Sequence, residues 1–531
     1  MQDPTDPSPS TKPKLQRHLK SRHLVFISLG GTIGTGLFLA SGSSISQAGP
    51  GGALIAYGLI GIMVFFMMES LGEMATYLPI SGSFNNYAGR FIEPALGFAL
   101  GWNYFYNWSV TLAVELVAGG MVMEYWLPHV PNYVWSIIFL LFVMSLNVFS
   151  VKGYGEAEYW FAMIKVLVVL IFVLLGILVD TGVLGGVYIG LDTFRYGGIQ
   201  AAGILPTFLT ASFSFQGTEL IGVAAGESEN PSRNVPRAIK QVFWRILLFY
   251  ILSMFIVGLI VPYDDPDLLK SSISDVSVSP FTLVFKKAGL DGAAHFMNAV
   301  ILTTVLSAGN SGLYASSRTL FDLANERKAP HVFSKLTRFG VPIYCVLLTS
   351  AIGMLAFLTS LFGNGLWLVN ISGVAGLIAW LGIAAAHWRF RLAYRAQNRR
   401  EDELPFKARW FPFGPIFTFL VCLFVLVGQG YNSWFADPIS ASDIIACYIG
   451  IPVFFLFYFG YKLWKREGLF SAIIPLEEID LDSGREEIIR HTMELDERKR
   501  LDPLEGVSIL KPSTWKRIPR TLTSWRDATH N

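Results

Sequence analysis

The chain has 531 residues, 52% of them hydrophobic and only 15% charged, with a formal net charge of +2 and a mean hydropathy of +0.47. That balance excludes a soluble enzyme and places the chain among helical proteins that cross a membrane several times. Residues 1–23 are rich in Pro, Ser, Lys, Arg and His, so they read as a polar tail with no cleavable signal. The first hydrophobic segment follows, near 25–46, and its centre reads Gly30-Gly31-Thr32-Ile33-Gly34-Thr35-Gly36-Leu37-Phe38. Glycines and threonines in this density suit a helix that opens rather than a rigid one. The half after an opening presents free N–H groups, and the half before it presents free carbonyls. One end suits a carboxylate and the other an ammonium, the two invariant groups of an amino acid. Close helix packing on small residues is the alternative reading of the same glycines.

Hydrophobic runs long enough to cross ~30 Å of hydrocarbon give about twelve candidate spans. They lie near 25–46, 53–77, 97–124, 133–151, 158–179, 200–225, 240–261, 293–317, 341–362, 366–388, 414–434 and 441–464. Connections after even-numbered spans carry Lys152, Arg233, Arg237, Lys240, Arg318, Arg327, Lys328, Lys335, Arg338 and the basic stretch Arg389 to Arg409, while Arg90 lies after the second. The opposite loops hold only Arg195, Lys270, Lys286 and Lys287. This asymmetry predicts that both termini are cytoplasmic. Residues 465–531 read as a charged cytoplasmic tail, acidic from Leu476 to Glu487 and basic from Lys511 to Arg526.

The sixth span carries a second interruption. Pro206 is followed by Ser212-Phe213-Ser214-Phe215-Gln216-Gly217-Thr218-Glu219, and the segment ends at Glu227-Ser228-Glu229-Asn230-Pro231. Two broken segments five spans apart are what an inverted-repeat transporter sets beside a site at the midplane. Ionisable residues at membrane depth point the same way: Glu115 in the third span, Lys165 in the fifth and Glu219 in the sixth. A fixed ion pair between Lys165 and one carboxylate is the structural alternative. One lysine cannot neutralise both acids, so the surplus must be protonated, exposed to water or matched by a cationic ligand. Lys165 can also tie the fifth span to carbonyls of the broken first span and to hydroxyls such as Ser307, releasing them on losing its proton. Glu69 and Glu73, at the end of the second span, are explained by snorkelling or a helix contact. Tyr104 and Trp108, four residues apart, share a helix face that could meet a substrate side chain, or else form part of an interfacial belt. Phe213 stands where it could close over a substrate.

The stretches Ser21-Arg22-His23-Leu24, Gly30 to Phe38, Gln47-Ala48-Gly49-Pro50, Gly72-Glu73-Met74-Ala75, Pro79 to Phe84, Gly155-Glu156-Ala157-Glu158-Tyr159-Trp160, Ser212 to Pro231 and Leu306 to Ser316 together resemble the signature of the amino-acid/polyamine/organocation transporters. The resemblance covers roughly residues 15–466. Within that superfamily the chain resembles the amino-acid permeases shared by fungi and bacteria. Phe98 to Tyr104 and Gln241 to Leu248 are most similar to the lysine-specific permeases, whereas Ile474 to Arg485 is similar to fungal permease tails. The resemblance implies an all-α membrane protein, a five-plus-five inverted repeat with two added spans, and proton-coupled uptake. It also implies a substrate carboxylate at Gly34, Thr35 and Gly36, an α-ammonium near Thr32, Phe213 and Gln216, and a side-chain pocket of Tyr104, Trp108, Phe213 and Glu219. Glu227 would contribute toward the inner mouth, and Lys165 matches a lysine thought to replace a sodium ion.

The expected function is therefore proton-driven import of an amino acid, lysine or another basic one first, across the plasma membrane. A broad-range permease is the alternative within the class, and an amino-acid-sensing receptor with little transport is the alternative outside it. No metal, cofactor or nucleic acid is expected; cytoplasmic regulators of the tails are. Cys345, Cys422 and Cys447 lie in apolar stretches without metal-ligand spacing and read as small hydrophobes. The glycine run lacks both a preceding strand and a following P-loop lysine, so it is not a nucleotide loop.

Overall fold

The computed structural model describes residues 19–80, 82–149, 151–270, 279–287, 289, 291–355, 366–435, 439, 441–466, 468, 473–485 and 490. The first part of the N-terminal tail, residues 1–18, the end of the ninth expected span, 356–362, and the basic stretch Lys511 to Arg526 lie outside the described residues. The described residues form helices and loops, with one isolated bridge pairing Leu19 with Ser228. In the first half, α1 (Ser21–Thr32), α2 (Thr35–Phe38), α3 (Ala40–Tyr77), α4 (Ser83–Phe91), α5 (Pro94–Glu124), α6 (Asn132–Phe149), α7 (Val151–Asp180), α8 (Asp192–Gly197), α9 (Ala201–Phe215) and α10 (Leu220–Ala225) follow in order. Then come α11 (Pro231–Lys240), α12 (Val242–Arg245), a π-helical turn (Ile246–Ile251), α13 (Leu252–Ile260), α14 (Pro266–Lys270), α15 (Pro280–Lys287) and α16 (Asp291–Asn325). The last are α17 (Ile343–Gly353), α18 (Leu366–Ala396), α19 (Phe413–Gly428), α20 (Tyr431–Trp434), α21 (Ala441–Tyr448) and α22 (Gly450–Lys465).

Five helices among the described residues are long and apolar enough to cross a membrane, or six if α21 and α22, bent by 48°, count as one span. Several expected spans fall short of that length because the helix is interrupted. The first is split between α1 and α2, and the sixth between α9 and α10. The helix of α3 is itself turned at Gly49, whose φ of 70° leaves the helical region before Pro50. That residue separates the first expected span from the second, since a glycine tolerates positive φ and a proline suits the first turn that follows.

The packing places the two broken segments centrally. α1 lies against α7, α10, α11 and α16, while α9 runs along α3 and α5 runs along α16. At the end of the molecule where α3 and α18 finish, Glu73 is held by Arg391 through Nε at 2.5 Å and Nη2 at 2.7 Å. The backbone N–H of Ala408 adds a third bond at 2.6 Å. Glu73 is thus a buried helix contact rather than a snorkelling group. Part of the C-terminal tail docks on the same end. Ile474 N–H bonds the Ile92 carbonyl at 3.0 Å, Gln397 donates to the Ile479 carbonyl at 2.7 Å, and Ile479 and Leu481 are buried. From Asp482 the chain forms a second unit, opening with a turn in which Arg485 N–H bonds the Asp482 carbonyl.

Candidate functional site

Both breaks are built by the residues that the sequence singles out. α1 makes its last helical bond from Ile33 N–H to Leu29, after which Ile33 (φ −87°, ψ 94°) and Gly34 (φ −134°, ψ −148°) leave helical geometry. A Cβ on Gly34 would lie 2.8 Å from Glu115 Oε1 and 2.9 Å from the Ala308 methyl, so only a glycine allows this approach. The second break centres on Gly217, at φ +99°. A Cβ there would lie 2.5 Å from the Gly31 carbonyl, so the two openings touch. Tyr250, in the π-helical turn, fastens them together. Its hydroxyl lies 3.1 Å from the Thr32 carbonyl and 2.9 Å from that of Ser214.

The carbonyl side of the first break is occupied by Lys165. Its ammonium donates to Gly30 O at 2.6 Å and Ile33 O at 2.7 Å, with the side chain fully buried. Helix carbonyls that have lost their i+4 partners carry the negative end of the dipole, which an ammonium satisfies. Neither Glu115 nor Glu219 forms a contact pair with it. Glu115 instead takes the Thr35 hydroxyl at 3.0 Å, and its second oxygen is buried with no partner. Gly36 packs on Ser214, and the Thr32 hydroxyl turns back to the Ser28 carbonyl.

Around the second break, Glu219 accepts from the Tyr104 hydroxyl at 3.1 Å, from Trp380 Nε1 at 3.2 Å and from Gly217 N–H at 3.1 Å. Tyr104 meets Trp108 edge-on at 6.0 Å, and the Trp108 Nε1 is buried without a partner. Gln216 donates to the Ser372 carbonyl at 3.0 Å and accepts from Asn107 at 3.4 Å, and Ser372 Oγ donates to Asn107 Oδ1 at 2.8 Å. Phe213 packs with Val110, Leu313 and Leu368 on the flank.

Two further sequence candidates are engaged by partners of their own. Glu227, beyond α10, is paired with Arg318 at 3.2 Å and accepts the Tyr314 hydroxyl at 3.0 Å. Ser307 gives its hydroxyl to Glu158 at 2.8 Å rather than to Lys165. Trp380, Ser372 and Tyr250 escaped the sequence reading because an isolated aromatic or hydroxyl in an apolar span carries no pattern. Glu158 did carry one, since it lies two turns before Lys165 on the same helix face.

The description "amino acid permease" fits residues 23–471 as a family profile. The chain belongs to the amino acid permease family. This permease is 54% identical over 461 residues to the lysine-specific permease LysP of Escherichia coli (strain K12), across 85% of this chain and 94% of that one. It is 47% identical over 494 residues to the lysine-specific permease LysP of Lactococcus lactis, across 90% of this chain and 95% of that one. With the histidine permease HisP of the same bacterium it shares 47% identity over 475 residues, 88% of this chain and 98% of that one. Membership makes the protein a multi-pass membrane transporter of amino acids and not an enzyme.

Proposed function

We propose that this permease is a proton-coupled symporter that imports lysine and related basic amino acids across the plasma membrane, with both termini in the cytoplasm. In this reading about twelve spans form two five-span repeats of opposite orientation, with α1–α2 and α9–α10 in corresponding places, and two further spans. The substrate carboxylate meets the amides of Gly34, Thr35 and Gly36 and the Thr35 hydroxyl. Its α-ammonium meets carbonyls near Thr32, Phe213 and Gln216, at the two breaks. The basic side chain runs toward Glu219, along the rings of Tyr104 and Trp108. Buried carboxylate charge matched by a cationic substrate, rather than by a fixed cation, is what supports a basic amino acid.

The observation that carries proton coupling is the Lys165 ammonium, seated on Gly30 O and Ile33 O. Protonated, it ties α7 to the broken end of α1. Loss of the proton removes the charge and loosens both bonds, freeing α1 to move against α7. In proteoliposomes with an imposed pH gradient, the wild-type protein is expected to concentrate labelled lysine, and a protonophore to abolish the accumulation. Lys165→Gln should still bind lysine but no longer concentrate it; a variant that still does so in a proton-dependent way overturns the coupling role.

A broad-range permease is the second reading, favoured by one observation. HisP matches this chain at the same 47% identity as the lactococcal LysP. Overall identity therefore does not choose the side chain, and competition by neutral amino acids as strong as by lysine would establish the broader range.

A further inference from the structure

Glu158 is fully buried in α7, seven residues before Lys165. Seven residues are two helical turns, so the two side chains share a face about 10 Å apart along the axis. That face meets α1 and α16. Lys165 reaches the Gly30 carbonyl from it, and Glu158 packs on the same residue: a Cβ on Gly30 would lie 2.0 Å from Glu158 Oε2. The carboxylate is held by neutral donors. Ser307 gives its hydroxyl at 2.8 Å and Asn310 its amide N–H at 2.5 Å. Asn310 is fixed in that orientation because its own Oδ1 takes the Asn147 amide at 2.7 Å.

Such donors favour a carboxylate but leave its charge uncancelled in a place where isolated charge is costly. The ionisable groups on the surrounding elements are otherwise engaged. On α16, Tyr314 and Arg318 are both committed to Glu227. On α5, Glu115 holds Thr35, and on α7 the Tyr154 hydroxyl donates to Ser311. On α1, His23 lies beside Glu156, and Ser28 receives Arg245 of α12. Lys165 is the cation that shares the helix face of Glu158.

We propose that Glu158 is the group that receives the proton Lys165 gives up, so that the transported proton passes along α7. The inference rests on proton coupling through Lys165. In the step, an N–H bond at Lys165 Nζ breaks and an O–H bond forms at Glu158, by way of the Ser307 hydroxyl and intervening water. Ammonium and carboxylate become amine and carboxylic acid. The pair is neutral before and after, so no unbalanced charge is left in the membrane while α1 is released. The acid then loses its proton toward the end of α7 that carries Glu156, and Lys165 takes up the next proton from the opposite side, so that carboxylate and ammonium are both restored for the next cycle.

The test uses the full chain in proteoliposomes, with Glu158→Gln, Glu158→Asp and Ser307→Ala. Lysine counterflow needs no net proton movement, whereas accumulation under a pH gradient does. Glu158→Gln is expected to lower accumulation by about tenfold or more and to flatten its pH profile, with counterflow lowered far less. Glu158→Asp should restore accumulation with a displaced pH profile. Accumulation at the wild-type level and pH profile in Glu158→Gln overturns the inference while leaving Lys165 coupling intact. So does an equal loss of counterflow and accumulation in both Glu158 variants, with lysine still raising their melting temperatures. Should Glu158→Gln fail to fold, wild-type pH profiles in Glu158→Asp and Ser307→Ala overturn it as well. A wild-type protein that shows no proton-driven accumulation removes the coupling reading first, and the inference falls with it.

Discussion

Two sets of buried charges in this molecule are built on opposite plans. At the ends of α3 and α18, Glu73 and Arg391 are in contact through two hydrogen bonds, with His387 Nε2 3.3 Å from the same carboxylate. Arg391 also approaches Glu401 at 2.6 Å, and Glu401 is held further by Arg395 and Lys407. Near the breaks, Glu115, Glu158, Lys165 and Glu219 are equally buried, yet among the described residues none of them forms a contact ion pair. Hydroxyls, amides, an indole and backbone carbonyls hold them instead. The first plan spends each charge on its neighbour and leaves nothing for a ligand. The second keeps each charge positioned but uncancelled, which is costly unless substrate or proton completes it. Pairing, more than burial, separates scaffold from machinery here.

That contrast is broken most directly by one substitution in each set. Arg391→Ala leaves Glu73 buried without its cation, a change that costs about 3–5 kcal/mol of stability. The melting temperature of the purified protein should fall, while lysine transport per folded molecule persists. Lys165→Gln should do the reverse, with little change in melting temperature and a loss of proton-driven accumulation of about a hundredfold or more. A reversal of the two phenotypes would end the distinction. Glu219→Gln sharpens it with a smaller effect. The amide keeps the size of the side chain but turns an N–H₂ group toward the donors of Tyr104, Trp380 and Gly217. The KM for lysine should rise about tenfold, from the loss of a charged hydrogen-bond partner, with neutral amino acids affected less. An equal rise for both would mean that Glu219 shapes the second break without contacting the substrate side chain.

The breaks and their occupant were legible because each has a local cause. Glycine and threonine density marks where α1 opens, and a lone lysine in an apolar helix has few places to go except freed carbonyls. The partner of Glu227 was not legible for the opposite reason. Arg318 lies toward the far end of α16, and nothing local announces that pair. Trp380 shows the same limit, since its indole reaches Glu219 from a helix 161 residues away in the chain. Glu158 was visible within a motif, but the sequence reading set Glu115 and Glu219 against Lys165 and left out the acid two turns away on the same helix. The twelfth expected span, near 441–464, is bent by 48° where α21 gives way to α22.

The smallest effect concerns the outer rim of the paired set. Burial works to raise the Glu401 carboxyl, yet hydrogen bonds from Arg395 and Lys407 and the charge of Arg391 outweigh it and hold the group at about 2. Its folded value thus lies below the unfolded one of about 4.3, so its contribution to stability is complete above that pH and disappears as pH falls toward 2. Glu401 is partly exposed, and solvent screening keeps the contribution small. In Glu401→Gln, the acid side of a melting-temperature profile should be shallower than in the wild type, while the two proteins approach a constant offset above pH 5. Transport should be unaffected at neutral pH, because the Glu73–Arg391 pair remains closed behind it. If Glu401→Gln instead changed the pH dependence of lysine uptake, the rim would belong to the transport cycle, and paired charge would no longer mark scaffold.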